Sequence, residues 1–158
     1  MPFTNHYELR EAIRTDSVEE LKLLLELPKD EALEPEDIVK AMVDAAFSGS
    51  IQVIKHFCDS EVADQSAVDY ALIKLCPYNP IGTYYNYSNK EKIIQYLCAL
   101  ETSNRPTRQG IYFAFHDAVK NAVQDGNWQF FKTLCKLPKE SAPSEETIGQ
   151  FFSQRLGR

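Results

Sequence analysis

The chain has 158 residues, a hydrophobic share of 44% and a formal net charge of −6. That suits one folded domain and speaks against a general nucleic-acid binder, whose basic footprint is missing. No run of about 18 apolar residues occurs, so no membrane span is expected, and Met1-Pro2-Phe3-Thr4-Asn5-His6 has neither the basic start nor the apolar core of a secretory signal.

The acidity is local. Residues 1–40 hold eleven acids and five bases, a net of −6, and the remaining 118 residues balance at twelve of each. An acidic first segment can attract a basic partner or simply be a solvated face. The cysteines Cys58, Cys76, Cys98 and Cys135 form no Cys-x-x-Cys pair and are expected to be reduced, buried thiols of a cytoplasmic protein.

Along the chain, Tyr7 to Leu27 reads as two helices. Asp16 lies at the turn between them, and Ser17-Val18-Glu19-Glu20 is a capping box opening the second, in which Ser17 and Glu20 exchange backbone contacts. Pro35 to Asp59 is a second pair. Pro35 suits a first helical turn, Gly49 suits the left-handed residue past a helix end, and Ser50 is a candidate N-cap for the helix that carries Ile51, Ile54, Phe57 and Cys58. A third pair begins near Ser66 and is interrupted by the insertion Cys76 to Tyr87, which carries four tyrosines. It resumes at Ser88-Asn89-Lys90-Glu91, itself a capping box. The fourth runs from Arg108 to Leu137 with Ala118, Ala122 and Gly126, and Ser144 to Leu156 is one further amphipathic helix, placed to cap the open end of the core.

The pairs align by columns. Asp16, Gly49, Asn89 and Gly126 are residue types that tolerate a left-handed backbone. Ala12, Ala45 and Ala122 stand four positions earlier, and Leu24, Phe57, Leu97 and Leu134 eight positions later. The next column, Leu25, Cys58, Cys98 and Cys135, assigns three cysteines to one buried packing site on the inner face of a helix.

This repeat resembles the ankyrin family, whose unit of about 33 residues runs Thr-Pro-Leu-His-x-Ala-Ala-x-x-Gly-His-x-Glu-Ile-Val-x-x-Leu-Leu. Ala45-Ala46, Gly49, Gln52-Val53-Ile54 and Phe57-Cys58 take the corresponding places in the second pair. Ala122-Val123, Gly126, Gln129-Phe130-Phe131 and Leu134-Cys135 take them in the fourth, and Ala12-Ile13, Asp16, Glu19-Glu20-Leu21 and Leu24-Leu25 in the first. The family's proline column holds Ala41, Ala67 and Ala118 instead, so first helices that start early and connectors without β-hairpin fingers are predicted. The resemblance implies an all-α, ankyrin-like α-solenoid of about four helix pairs (residues 4–27, 35–59, 66–100 and 108–137) with a capping helix over 144–156, all in a single domain of residues 1–158.

The function it implies is non-catalytic protein–protein binding by a monomer. The chain would be a scaffold or regulator, or an effector of an intracellular bacterium or virus acting in a host cytosol. Contact residues are expected in the tyrosine-rich loop (Tyr78, Tyr84, Tyr85 and Tyr87), since tyrosine offers large contact area at low entropy cost. Arg105 and Arg108 of the connector 101–107 and the helix start after it are expected to meet acidic groups of a partner. Trp128 is read as a core or inter-repeat contact.

Two other readings compete. One is an enzyme with a site between the loop 77–88 and the first helices, for which Cys58 or Cys98 paired with His116 is the conceivable nucleophile. The other is a structural subunit of a larger assembly. No phosphate-cradling glycine loop and no His-Glu-x-x-His occurs, so neither a cofactor nor a metal is expected.

Overall fold

The computed structural model describes residues 2–75, 87–126, 128–137 and 144–155, and among them every regular element is an α-helix. In chain order these are α1 (Pro2–Thr15), α2 (Val18–Leu25), α3 (Pro35–Ser48), α4 (Ile51–Asp59), α5 (Gln65–Leu75), α6 (Tyr87–Cys98), α7 (Arg108–Asp125), α8 (Gln129–Cys135) and α9 (Glu145–Arg155). Each odd-numbered helix packs on the even-numbered one that follows: α1 on α2, α3 on α4, α5 on α6, α7 on α8. The odd helices also pack on one another in order, α1 on α3, α3 on α5, α5 on α7 and α7 on α9. The even helices do the same, α2 on α4, α4 on α6 and α6 on α8. The result is a stack of helix pairs in two layers, with α9 standing where the first helix of a further pair would stand.

The core runs between the layers. Ala12, Ala45, Ala71 and Ala122 are buried in the first layer, and Leu24, Phe57, Leu97 and Leu134 in the second. Alanine on the facing side lets helix axes approach closely, while the larger side chains of the second layer fill the space between. At the far end of the stack Phe131 meets Phe115 and Trp128 edge-on, with ring centroids 6.2 and 5.5 Å away. Trp128 thus joins an aromatic cluster at the start of α8.

The turn column forms in three of its four members. Asp16, Gly49 and Gly126 all have positive φ, at 52°, 75° and 71°. The chain reverses at the first two through the same kind of bond. Ser17 N–H donates to Ala12 C=O at 2.8 Å and Ser50 N–H to Ala45 C=O at 2.9 Å, a six-to-one closure that satisfies carbonyls left open at a helix end. Asn89 departs from the expectation. It is the third residue of α6, which begins at Tyr87, and the side chain of Ser88 lies outside the described residues.

Helix starts fit the missing prolines unevenly. α3 begins at Pro35 and α7 at Arg108, well before Ala41 and Ala118, whereas α5 begins only two residues before Ala67. The described parts of the connectors are turns and irregular chain without strands. Among the described residues no helix is long and apolar enough to cross a membrane.

Candidate functional site along the connector edge

Polar side chains tie each helix pair to the next, and the ties fix where the candidate contact residues lie. On the turn edge, Asp16 Oδ1 accepts from Val53 N–H at 2.9 Å and Asp16 Oδ2 from Gln52 N–H at 3.2 Å. These are two of the open donors at the start of α4, so the N-cap function falls to a carboxylate of the preceding pair. Ser50, the residue expected to cap α4, makes no capping bond. It is buried, and its hydroxyl donates to Ile13 C=O at 2.5 Å. The reason is geometric: the closure at Gly49 brings Ser50 against the end of α1, where the Ile13 carbonyl, which also accepts from Asp16 N–H at 3.2 Å, takes its hydroxyl. Asn89 Nδ2 donates to Gly49 C=O at 3.0 Å, linking α6 to the turn of the second pair.

At the start of α2 only one arm of the predicted capping box is present, Glu20 N–H donating to Ser17 Oγ at 3.3 Å. Before α3 the opposite arm is present, Glu34 N–H donating to the Asp37 carboxylate at 3.1 Å.

The connector edge is held by four groups. Asn104 is buried, and its Nδ2 donates to the carbonyls of Cys58 at 2.9 Å and Ala63 at 3.2 Å, while its Oδ1 accepts from the Thr102 hydroxyl. Gln65 Nε2 donates to Arg105 C=O at 2.7 Å. Thr107 caps α7, its Oγ1 accepting from Gly110 N–H at 2.9 Å, and donates its own N–H (2.8 Å) and hydroxyl (2.5 Å) to Asp69 of α5. Gly110 is required at its place, because a Cβ there would collide with the Asp69 carboxylate. On the second layer, Tyr96 OH donates to Asp59 Oδ1 at 2.8 Å, and Lys55 Nζ lies 5.7 Å from the Tyr96 ring centre.

These bonds fix the backbone of the connector while Arg105 and Arg108 stay exposed at its rim. Between them the end of α6, the connector and the start of α7 enclose a groove of about 690 Å³. It is lined by Leu100, Pro106 and Ile111, by the exposed Glu101, Arg105 and Arg108, and by the buried Cys98. A guanidinium presents a rigid fork of donors that matches a carboxylate, so the arginines suit an acidic group beside the apolar side chains of Leu100, Pro106 and Ile111.

Of the other candidate residues, Tyr78, Tyr84 and Tyr85 lie outside the described residues, and Tyr87 is the first residue of α6. The cysteine column is buried at Cys58 and Cys98, but Cys135 is exposed. Cys135 is on α8, the last described helix of its layer, and the face that the other two bury against a neighbour is exposed there. Burial pushes the Cys58 and Cys98 thiols up to about 12, with Asp59 adding to the effect at Cys58. A thiol in that state is a poor nucleophile at neutral pH. His116 is not among the groove walls that hold Cys98; its Nδ1 stands 3.6 Å from Asp117 Oδ1. Among the described residues no three His, Cys, Asp or Glu side chains gather as a metal site.

The sequence reading placed Asp16 at a turn but not as the cap of α4, and it did not give Asn104 or Asp69 an organising role.

Comparison with protein-family models, with curated proteins and with solved structures finds no match.

Proposed function

We propose that this chain is an ankyrin-like α-solenoid of four helix pairs closed by a capping helix, and that it works as a non-catalytic protein-binding module of the cytoplasm. The observation that carries the reading is the order of helix packing: successive pairs stack in register in two layers, joined at each step by side chains of one pair on the backbone of another. Such a stack offers an extended surface built from equivalent positions of successive repeats, which suits partner binding more than a closed reaction site. The raised thiols support the same side of the choice, since the conceivable Cys–His chemistry would need a thiolate.

Within that reading the contact surface is the groove at the connector edge, and its partner is a segment with an acidic side chain for Arg105 and Arg108 and an apolar residue for Leu100, Pro106 and Ile111. The test is affinity capture from cell lysate with the intact chain, with Arg105→Glu/Arg108→Glu, and with Tyr84, Tyr85 and Tyr87 each changed to Ser. Partners recovered by the intact chain and lost by the arginine variant support the assignment. Partners lost only by the tyrosine variant move the contact surface to the insertion. An intact chain that retains no protein above a blank resin sinks the binding-module reading.

A further inference from the structure

The opposite end of the stack carries a second surface, and its construction does not depend on the reading above. In the first layer, the column Ala41, Ala67, Ala118 is buried, and the first pair holds Glu8 there, exposed. In the second layer, the column Val53, Ile93, Phe130 is buried, and the first pair holds Glu20 there, also exposed. The two columns that later pairs bury thus hold carboxylates in the first pair, on a side where the described chain places no helix. An acidic substitution at a helix-facing column would by itself be a solubilising end.

The surface between them is not polar, however. Tyr7 is 67% exposed and Leu23 68% exposed, and they flank a groove of about 360 Å³ between α1 and α2, floored by Leu24 and Leu27. Glu8, Glu11 and Glu20 form its rim. Arg14 engages Glu11 through a two-pronged contact, its closest approach 2.7 Å, whereas Glu8 and Glu20, both exposed, line the groove without such a contact. The wider field has the same sign, since residues 1–40 carry the whole net charge of −6.

We propose that this end groove is a docking site for a basic amphipathic helix of a partner protein: an apolar side chain seated between Tyr7 and Leu23, with lysine or arginine one turn to either side meeting Glu8 and Glu20. A helix is the shape that fits, because the groove lies between two packed helices and offers the faces on which the later pairs seat their own helices. Basic residues are the charge that fits, because the groove's rim and its surrounding segment are acidic. On a helix, positions three and four apart share a face, so one apolar anchor with flanking bases needs only two turns.

The experiment is a fluorescence-anisotropy titration of the intact 158-residue protein with two labelled synthetic helices of identical leucine stripe, one with lysine at the flanking positions and one with glutamate. The lysine helix is expected to bind saturably and the glutamate helix to show no binding. Raising the salt from 50 to 500 mM is expected to weaken the lysine helix, since exposed charges are screened. Glu8→Lys/Glu20→Lys is expected to weaken it by about tenfold, the size of two exposed ion pairs turned repulsive. Leu23→Asp is expected to abolish it, and Arg105→Glu/Arg108→Glu to leave it unchanged. Circular dichroism of each variant confirms the fold.

Binding of the lysine helix that survives both Glu8→Lys/Glu20→Lys and Leu23→Asp would overturn the proposal, as would equal binding of the two helices or none by either. So would a free protein that runs as an oligomer and becomes a monomer on Leu23→Asp, because the groove would then be filled by a second copy. Loss of partner capture by the arginine variant with helix binding intact separates this surface from the connector groove.

Discussion

Asp16 tests the cross-pair capping most sharply, because two effects of known sign meet in one residue. Its backbone is left-handed at φ 52°, a conformation that costs an ordinary L-residue about 1–2 kcal/mol and costs Asp less. Its carboxylate accepts from Gln52 and Val53 N–H, of which the Val53 bond is partly buried and the Gln52 bond exposed. Most of the capping contribution therefore rests on Val53, and an N-cap is worth about 0.5–2 kcal/mol. Asp16→Ala loses the cap and keeps a strained turn without the side chain that eased it, for an expected loss of about 2–3 kcal/mol. Asp16→Gly loses the cap but relaxes the turn, for a loss of about 1 kcal/mol. Asp16→Asn keeps one acceptor and the turn tolerance, and should lose least. Urea unfolding read by circular dichroism gives the order, provided the slopes agree between variants. Hydrogen exchange at the Val53 amide should speed up in the Gly variant by the same free energy. A Gly variant as stable as the parent, or more so, would refute the reasoning, because relief of strain would then be the only thing left to measure.

Gly110→Ala should destabilise by about 1–3 kcal/mol in the same assay, since the added methyl collides with the Asp69 carboxylate and overpacking outweighs the better helix propensity of alanine. Its partner in the test, Asp69→Ala/Gly110→Ala, should lose less from the glycine change than Gly110→Ala does alone. Lys90 is 3% exposed, with its Nζ 5.6 Å from the centre of the Phe47 ring, and burial pulls its ammonium down to about 8. A folded value below the unfolded 10.5 means the unfolded chain holds more protons between those two pH values, so this group makes stability rise with pH across that window. The thiols of Cys58 and Cys98 act oppositely: their stabilisation is full below pH 9 and is lost as pH climbs toward 12. Comparison with Lys90→Met isolates the lysine. The Met variant's advantage over the parent should shrink by about 1–3 kcal/mol between pH 8 and 10.5, and a constant difference would refute the assignment.

The alanine and leucine columns were legible in the sequence because burial at fixed spacing is a periodic signal, and periodicity survives weak similarity between repeats. The helical pairing, the left-handed turns at Asp16, Gly49 and Gly126, and the helix starts at Pro35 and Arg108 follow from it. What could not be read is which atom lies across from a polar side chain. Ser50 sits where a local rule assigns an N-cap, and only the approach of Ile13 C=O from another pair diverts its hydroxyl. Asn89 has a residue type that suits a turn, yet α6 starts two residues ahead of it and its amide is spent on Gly49. Cys135 shares a column with two buried thiols, but a column does not record that α8 is the last described helix of its layer. For the candidate site, Arg105 and Arg108 could be named from charge alone. The groove beside them depends on Asn104 and Asp69 holding the connector, and those bonds span 38 to 46 positions of sequence.

The Asn104 amide has a consequence for how freely the pairs can be exchanged. The carbonyls it satisfies, at Cys58 and Ala63, belong to the end of the second pair and its connector, whereas Asn104 itself follows the third. Ser50 likewise completes the first pair, and Thr107 closes on a carboxylate that precedes it by 38 positions. The interval at which the sequence repeats is therefore not the interval at which the structure is self-sufficient. A cut, graft or deletion made at the sequence period would part donors from the acceptors they serve. The chain would be expected to melt as one block and not to shed its pairs singly from either end.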